Sequence, residues 1–295
     1  MQQEPGNVPG AALVQSPMEL STKVLKLGVT LALTVFALVP TPAAKSILLD
    51  QTRQASDDWC RDGRDGDSRY ERFCEVRPVM IAAPSTLDVE TSNGSIAVTG
   101  SSRNDVMIEA KVVTQGDTMD EAKALAKDVQ ILTDGGRVRA DGPRTSNHRG
   151  WSVSFRIQAP ARQNTSASSS NGSVSLTGLN GTVRGETSNG SMHGNDLSGD
   201  VRLTTSNGSM HVALSGSTWT GAGLEATTAN GSLQVDMPRE YSAHLVARTG
   251  NGSLNIDRPI TVSGRLGREV DTDLGKGGPT LRLRTSNGSL NIRQR

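Results

Sequence analysis

The chain has 295 residues, enough for one large domain or two small ones, and 31 Lys+Arg against 30 Asp+Glu leave a net charge of +1. With that balance no global field recruits nucleic acid or anionic lipid, and aromatics at 3% remove the usual stacking surfaces for bases. Glycine at 32 residues, with abundant Ser, Thr and Asn, points to short strands and tight turns; periodic apolar positions argue against disorder, the other reading of so polar a chain.

Residues 1–44 read as a secretory signal peptide. Lys23 and Lys26 form a basic region, Leu27–Val39 is apolar, and "PTPAAKS" supplies small residues at Ala43 and Ala44. The apolar stretch is short for a membrane span, so export leaves no stable span behind. Met18 is an alternative start, and an uncleaved N-terminal anchor is the competing reading.

Residues 45–80 form an N-terminal segment holding the two cysteines, Cys60 and Cys74, in "DDWCRDGRDGDSRYERFCEVR". In an oxidising compartment this pair predicts a disulfide, with two free thiols as the alternative. Closing a loop of about 15 residues stabilises by roughly 3 kcal/mol in the chain-entropy view. Asp57, Asp58, Asp62, Asp65 and Asp67 crowd the loop, but "DGRDGD" lacks the order of a calcium loop and arginines intervene. A solvated polar loop is expected.

Residues 81–160 read as a β region with one helix. In "DVMIEAKVV", Val106, Ile108, Ala110 and Val112 share one face of a strand. The helix is predicted at about 118–129, where Thr118 and Glu121 have capping-box spacing and Met119, Ala122, Leu125, Ala126 and Val129 share a face. "WSVSFRIQAP" gives the next strand, with Trp151, Val153, Phe155, Ile157 and Ala159 inward, and Pro160 ends it.

Residues 161–295 are repetitive. Asn-Gly-Ser begins at Asn93, Asn171, Asn189, Asn207, Asn230, Asn251 and Asn287, and from Asn171 the gaps are 18, 18, 23, 21 and 36 residues. Three residues after each Asn stand Ile96, Val174, Met192, Met210, Leu233, Leu254 and Leu290, and a second, mostly apolar column follows two residues later. A strand of the same character precedes each corner, with Thr165 as a misfit. Each repeat is therefore strand, polar corner, strand, with one face buried. The predicted fold is mostly β: a parallel β-solenoid of two-strand rungs with TSNGS corners, preceded by the β region. At roughly 4.8 Å stacking, the seven Asn would form a structural ladder and Thr and Ser hydroxyls would serve neighbouring backbone groups. Asp in place of Leu254 is expected to unfold the stack. The chain stops at "NIRQR", after a rung, so a partner or a second copy is expected to cover that end.

The Cys pair ending in "CEVR", "VETSNGSIAV", the "DEAKALAKDV" helix, the strand ending in "QAP" and the TSNGS run together resemble the "putative adhesin" family of bacterial β-strand-repeat proteins, a domain of unknown function. The resemblance spans about residues 80–295. It implies a repetitive β-solenoid exported to the cell envelope and brings no catalytic motif. The insertion between Gly264 and Pro279 puts regular stacking in doubt at one repeat.

No G-x-S-x-G, H-E-x-x-H or phosphate loop is present. No catalytic, cofactor-binding or metal-ligating set is predicted, and no cofactor. His193 and His211 occupy one outward column and form the weak exposed-site candidate; two imidazoles fall short of the ligands a firm metal site needs. Each Asn-Gly-Ser is formally a glycosylation sequon, but the corners consume most copies. The expected function is a non-enzymatic envelope or cell-surface binding module for extracellular glycan, matrix or an envelope protein. The alternative is a periplasmic structural or stress-linked partner protein acting through the solenoid; a glycan-cleaving enzyme ranks below both.

Overall fold

Alternation of small polar and branched apolar residues builds strands almost throughout, and the computed structural model describes residues 59–60, 69–145, 148–257 and 267–295. The signal segment and the acidic residues of the cysteine loop lie outside the described residues. The strands are β1 (Glu71–Ala82), β2 (Thr86–Asn93), β3 (Ile96–Ser101), β4 (Asp105–Gly116), β5 (Gln130–Asp134), β6 (Arg137–Asp141) and β7 (Gly150–Pro160). The repeats supply β8 (Asn164–Asn171), β9 (Val174–Thr177), β10 (Asn180–Asn189), β11 (Met192–Asn195), β12 (Ser198–Asn207), β13 (Met210–Ala213), β14 (Gly223–Asn230) and β15 (Leu233–Met237). The chain closes with β16 (Ala243–Asn251), β17 (Leu254–Asp257), β18 (Glu269–Leu274), β19 (Thr280–Asn287) and β20 (Leu290–Gln294).

These strands make two mixed, open ten-stranded sheets. The first runs β1-β4-β7-β3-β9-β11-β13-β15-β20-β17 and the second β18-β16-β19-β14-β12-β10-β8-β2-β6-β5. Each Asn-Gly-Ser corner carries the chain from a second-sheet strand to a first-sheet strand. Pairing between repeats is parallel and in register, so Met192 lies beside Met210 and Val183 beside Val201. Inward residues of both sheets form one hydrophobic cluster, from Leu87 to Ile292. Burying a Leu, Val or Met fully is worth about 1.5–3 kcal/mol, which makes this face the main stabilising element. Gly185 and Gly194 fall in the inward columns, and Leu176 and Leu203 of the adjacent repeats close over the space.

The order of the repeats departs from chain order. β19 lies between β14 and β16, and β20 between β15 and β17, so the last repeat is interior. The expectation of a terminal stack end after "NIRQR" is corrected accordingly. The reason is β18, which follows the insertion, pairs antiparallel on the far side of β16 and sends the chain back to the near side. The ends of this region are β17 in one sheet and β18 in the other.

Helix α1 (Met119–Asp128) buries Ala122, Leu125 and Ala126. Thr118 accepts from the Glu121 amide at 3.2 Å, while the Glu121 carboxylate accepts from the Asp117 amide rather than from the cap residue. At the other end Arg77 of β1 donates to the carbonyls of Ala126 and Val129, a cation on the carbonyl-rich end of the helix. Cys60 and Cys74 are joined by a disulfide. The guanidinium of Arg156 sits 4.2 Å from the Trp59 ring centre, and Lys111 Nζ donates to the Trp59 carbonyl at 2.6 Å.

Candidate functional site

The site is built from the corners outward. Across the seven corners the Asn side chains meet in one file. Asn171 donates to Asn93, Asn189 to Asn171, Asn207 to Asn189, Asn230 to Asn207, Asn287 to Asn230 and Asn251 to Asn287, each from Nδ2 to Oδ1 at 2.9–3.0 Å. Behind them runs a second file, sealed from water. The hydroxyls of Ser169, Thr187, Thr205, Thr228, Thr285 and Thr249 each donate to the carbonyl of the corner glycine in the neighbouring repeat at 2.8–3.0 Å. All six of these side chains are buried.

The glycines follow from the closeness of this stacking. A Cβ built on Gly190 would stand 2.2 Å from the Gly172 carbonyl oxygen, and one on Gly208 would stand 2.0 Å from that of Gly190. No side chain fits there. Neither of these two has a positive φ in the left-handed range, so close approach alone demands glycine there, whereas Gly94, Gly172, Gly231, Gly252 and Gly288 combine the same close approach with a φ of +143° to +158°.

Around the corners, register turns sequence columns into rows of outward-facing, mostly half-buried side chains. On the first sheet Ser175, His193, His211, Gln234, Asn291 and Asn255 lie side by side on successive strands. His193 and His211 are brought together, with ring centres 6.4 Å apart and edge to face. His211 Nε2 is 2.7 Å from Asp236, which also accepts from Gln234 at 2.9 Å. Burial would raise the Asp236 carboxyl, but the hydrogen bonds from His211 and Gln234 and the nearby charges of His211 and Arg293 outweigh it and hold the group below its ordinary value. Among the described residues no three His, Cys, Asp or Glu side chains group to hold a metal ion.

Asp236 was missed in the sequence, although the repeat columns contained the signal: it stands two residues beyond Gln234, in the next outward row. A second His–Asp group was not legible at all. His244 of β16 lies 2.9 Å from Asp273 and 3.3 Å from Asp271, both on β18, a strand with no repeat to align against. The outward row of the second sheet is charged: Arg184, Arg202, Glu225 and Arg282 stand in register, with Arg202 paired to Glu225 at 2.8 Å.

Two depressions lie among the described residues. One of about 240 Å³ is bordered by Arg72, Gln115, His148 and Trp151, and another of about 150 Å³ lies between Arg202 and Arg282. Both are below the roughly 300 Å³ at which small-molecule pockets begin. The outward rows are the larger feature.

No protein-family model matches the chain, and no curated protein matches it. Among solved structures it is similar to a "putative cell adhesion protein" of Clostridium sporogenes, at 13% identity and a TM-score of 0.42, over 76% of this chain and 100% of that one. It is also similar to a "putative adhesin" of Bacteroides fragilis, at 14% identity and a TM-score of 0.35, over 75% of this chain and 97% of that one. A "putative adhesin" of Parabacteroides distasonis matches at 11% identity and a TM-score of 0.27, over 75% and 97%. Among the described residues no helix is long and apolar enough to cross a membrane.

Proposed function

We propose that this chain is an exported, non-enzymatic binding module of the cell envelope or cell surface, an adhesin-like β-solenoid in which each repeat adds one strand to each sheet. The observation that carries the reading is the row Ser175, His193, His211, Gln234, Asn291 and Asn255, held outward in register on successive parallel strands. Such a row repeats polar groups at the strand spacing of roughly 4.8 Å, a long rigid surface suited to an extended ligand such as a glycan or matrix polymer. The net charge of +1 does not favour nucleic acid as that ligand.

A second reading has its own observation. β17 is the edge strand of the first sheet, paired with β20, and carries half-buried Leu254 and Ile256. An edge of this kind accepts a strand from a periplasmic partner protein or from a second copy.

Protease added to intact cells separates the two. Cleavage before periplasmic controls are cut supports the surface module and directs a glycan and matrix screen. Protection until the outer barrier is opened counts against surface binding and turns the search to cross-linking from Asn255 at the β17 edge. If surface binding is found, replacing both His193 and His211 by Ala should weaken it; unchanged affinity would remove this row from the site.

A further inference from the structure

The seven Asn-Gly-Ser copies share one chemistry and do not share one environment. In a chain, the backbone nitrogen that follows an Asn can attack its side-chain carboxamide when that nitrogen is free, and glycine, lacking a side chain, obstructs the attack least. At six corners this nitrogen is engaged. The N–H of Gly94 donates to the Asn171 carbonyl, Gly172 to Asn189, Gly190 to Asn207, Gly208 to Asn230, Gly231 to Asn287 and Gly288 to Asn251, at 2.8–3.1 Å. Each bond runs to the next repeat along the file, so the glycine of the last repeat has nowhere to donate.

That last repeat is the one with Asn251 and Gly252, because β19 and β20 are interposed before it. Among the described residues the Gly252 N–H has no acceptor. Gly252 is exposed, whereas the other six corner glycines are half-buried. Asn251 is exposed too, and its side chain is held from one side only, by Asn287. The opposite end is not equivalent: Asn93 also closes the file, yet the N–H of Gly94 points inward along it and is bonded.

We propose that Asn251 is a site of spontaneous covalent modification in the folded protein, selected from seven near-identical copies by its place at the end of the stack. The Gly252 nitrogen loses its proton and bonds to Cγ of Asn251; the Cγ–Nδ2 bond breaks and the nitrogen leaves as ammonia, giving a cyclic imide. Water then adds to either imide carbonyl and opens the ring to aspartate or isoaspartate. Only water is consumed, and no oxidant or enzyme is needed. The product places a carboxylate on the exposed end of the amide file.

Trypsin supplies a matched pair for the test. Cleavage after Arg248 and Arg265 releases the Asn251 peptide "TGNGSLNIDRPITVSGR", since Pro259 blocks cleavage after Arg258, and cleavage after Arg284 and Arg293 releases the Asn287 peptide "TSNGSLNIR". The folded full chain is held at mildly alkaline pH and sampled over time by peptide mass spectrometry. Asn251 should convert at least about tenfold faster than Asn287, equivalent to about 1.4 kcal/mol of opening free energy at the interior corner. In urea the two rates should converge. Equal rates in the folded chain, or faster conversion at Asn287, would overturn the proposal. Amide hydrogen exchange checks its premise separately: Gly252 should exchange rapidly and Gly288 slowly, and equal protection would also overturn it.

Discussion

The Thr228 hydroxyl donates to the Gly208 carbonyl at 3.0 Å from a position with no solvent exposure. Valine there keeps the shape and removes the donor, leaving a buried carbonyl without that partner. Thr228→Val should therefore cost about 1–3 kcal/mol of stability. Thr228→Ser should cost less, since Ser169 performs the same role in its own repeat. Urea denaturation of the two variants decides it, and a Val variant as stable as the parent would show that the hydroxyl file is incidental.

Two glycines should answer differently to alanine. At Gly190 the added carbon meets the Gly172 carbonyl, so neighbouring repeats must separate. A loss of about 1–3 kcal/mol or more is expected, as for other overpacked sites. At Gly216 the space is open and only the φ of +72° opposes the change, which limits the loss to about 1–2 kcal/mol. Thermal melts of both variants test the order.

Aspartate should be tolerated at Leu254 and not at Leu233. Both stand three residues after a corner Asn, and the sequence treats them alike. Leu233 is fully buried between neighbouring repeats, whereas Leu254 lies half-buried on an edge strand. Leu233→Asp places an unpaired charge in the core and should abolish the cooperative melt. Leu254→Asp should leave that melt in place and loosen only β17, which hydrogen exchange would detect. This replaces the expectation that Asp at position 254 unfolds the stack.

The Asp236 carboxyl sets an acid limit. Its folded pKa lies below the ordinary 3.8, so its contribution is fully present above the unfolded value and is lost as pH falls through the depressed folded one. Asp236→Asn should be less stable than the parent near neutrality. The gap should narrow below about pH 4, where the unfolded carboxyl begins to take up its proton. Chemical denaturation across that range reads it directly, and a gap that stays constant would assign the effect to shape rather than charge.

Strand columns, the helix and the inward residues were legible because each follows from local periodicity. Val153, Phe155, Ile157 and Ala159 alternate, and all are buried. Thr165 looked like a misfit and is buried with its hydroxyl given to the Gln163 carbonyl, so a polar residue stands in an apolar column without an unmet bond. Repeat order was not legible. A TSNGS corner fits against any other TSNGS corner, so identical motifs carry no information about which copies are neighbours. Asn287 beside Asn230 is as well bonded as Asn207 beside Asn189. The His211–Asp236 contact crosses between strands on two repeats, and the His244 group depends on β18, whose antiparallel pairing no repeat announces.

Interposing β19 and β20 also fixes an order of assembly. A chain that emerges from its N-terminus can add β8 through β15 one repeat at a time, each laid on the last. β16 then has β18 beside it but lacks its other neighbour, and β17 lacks its partner, until β19 and β20 are made. Their native pairing is completed only by residues 280–294, which enter each sheet between strands already made. The native order of both sheets is thus completed by a repeat made after the two strands that it separates from β14 and β15.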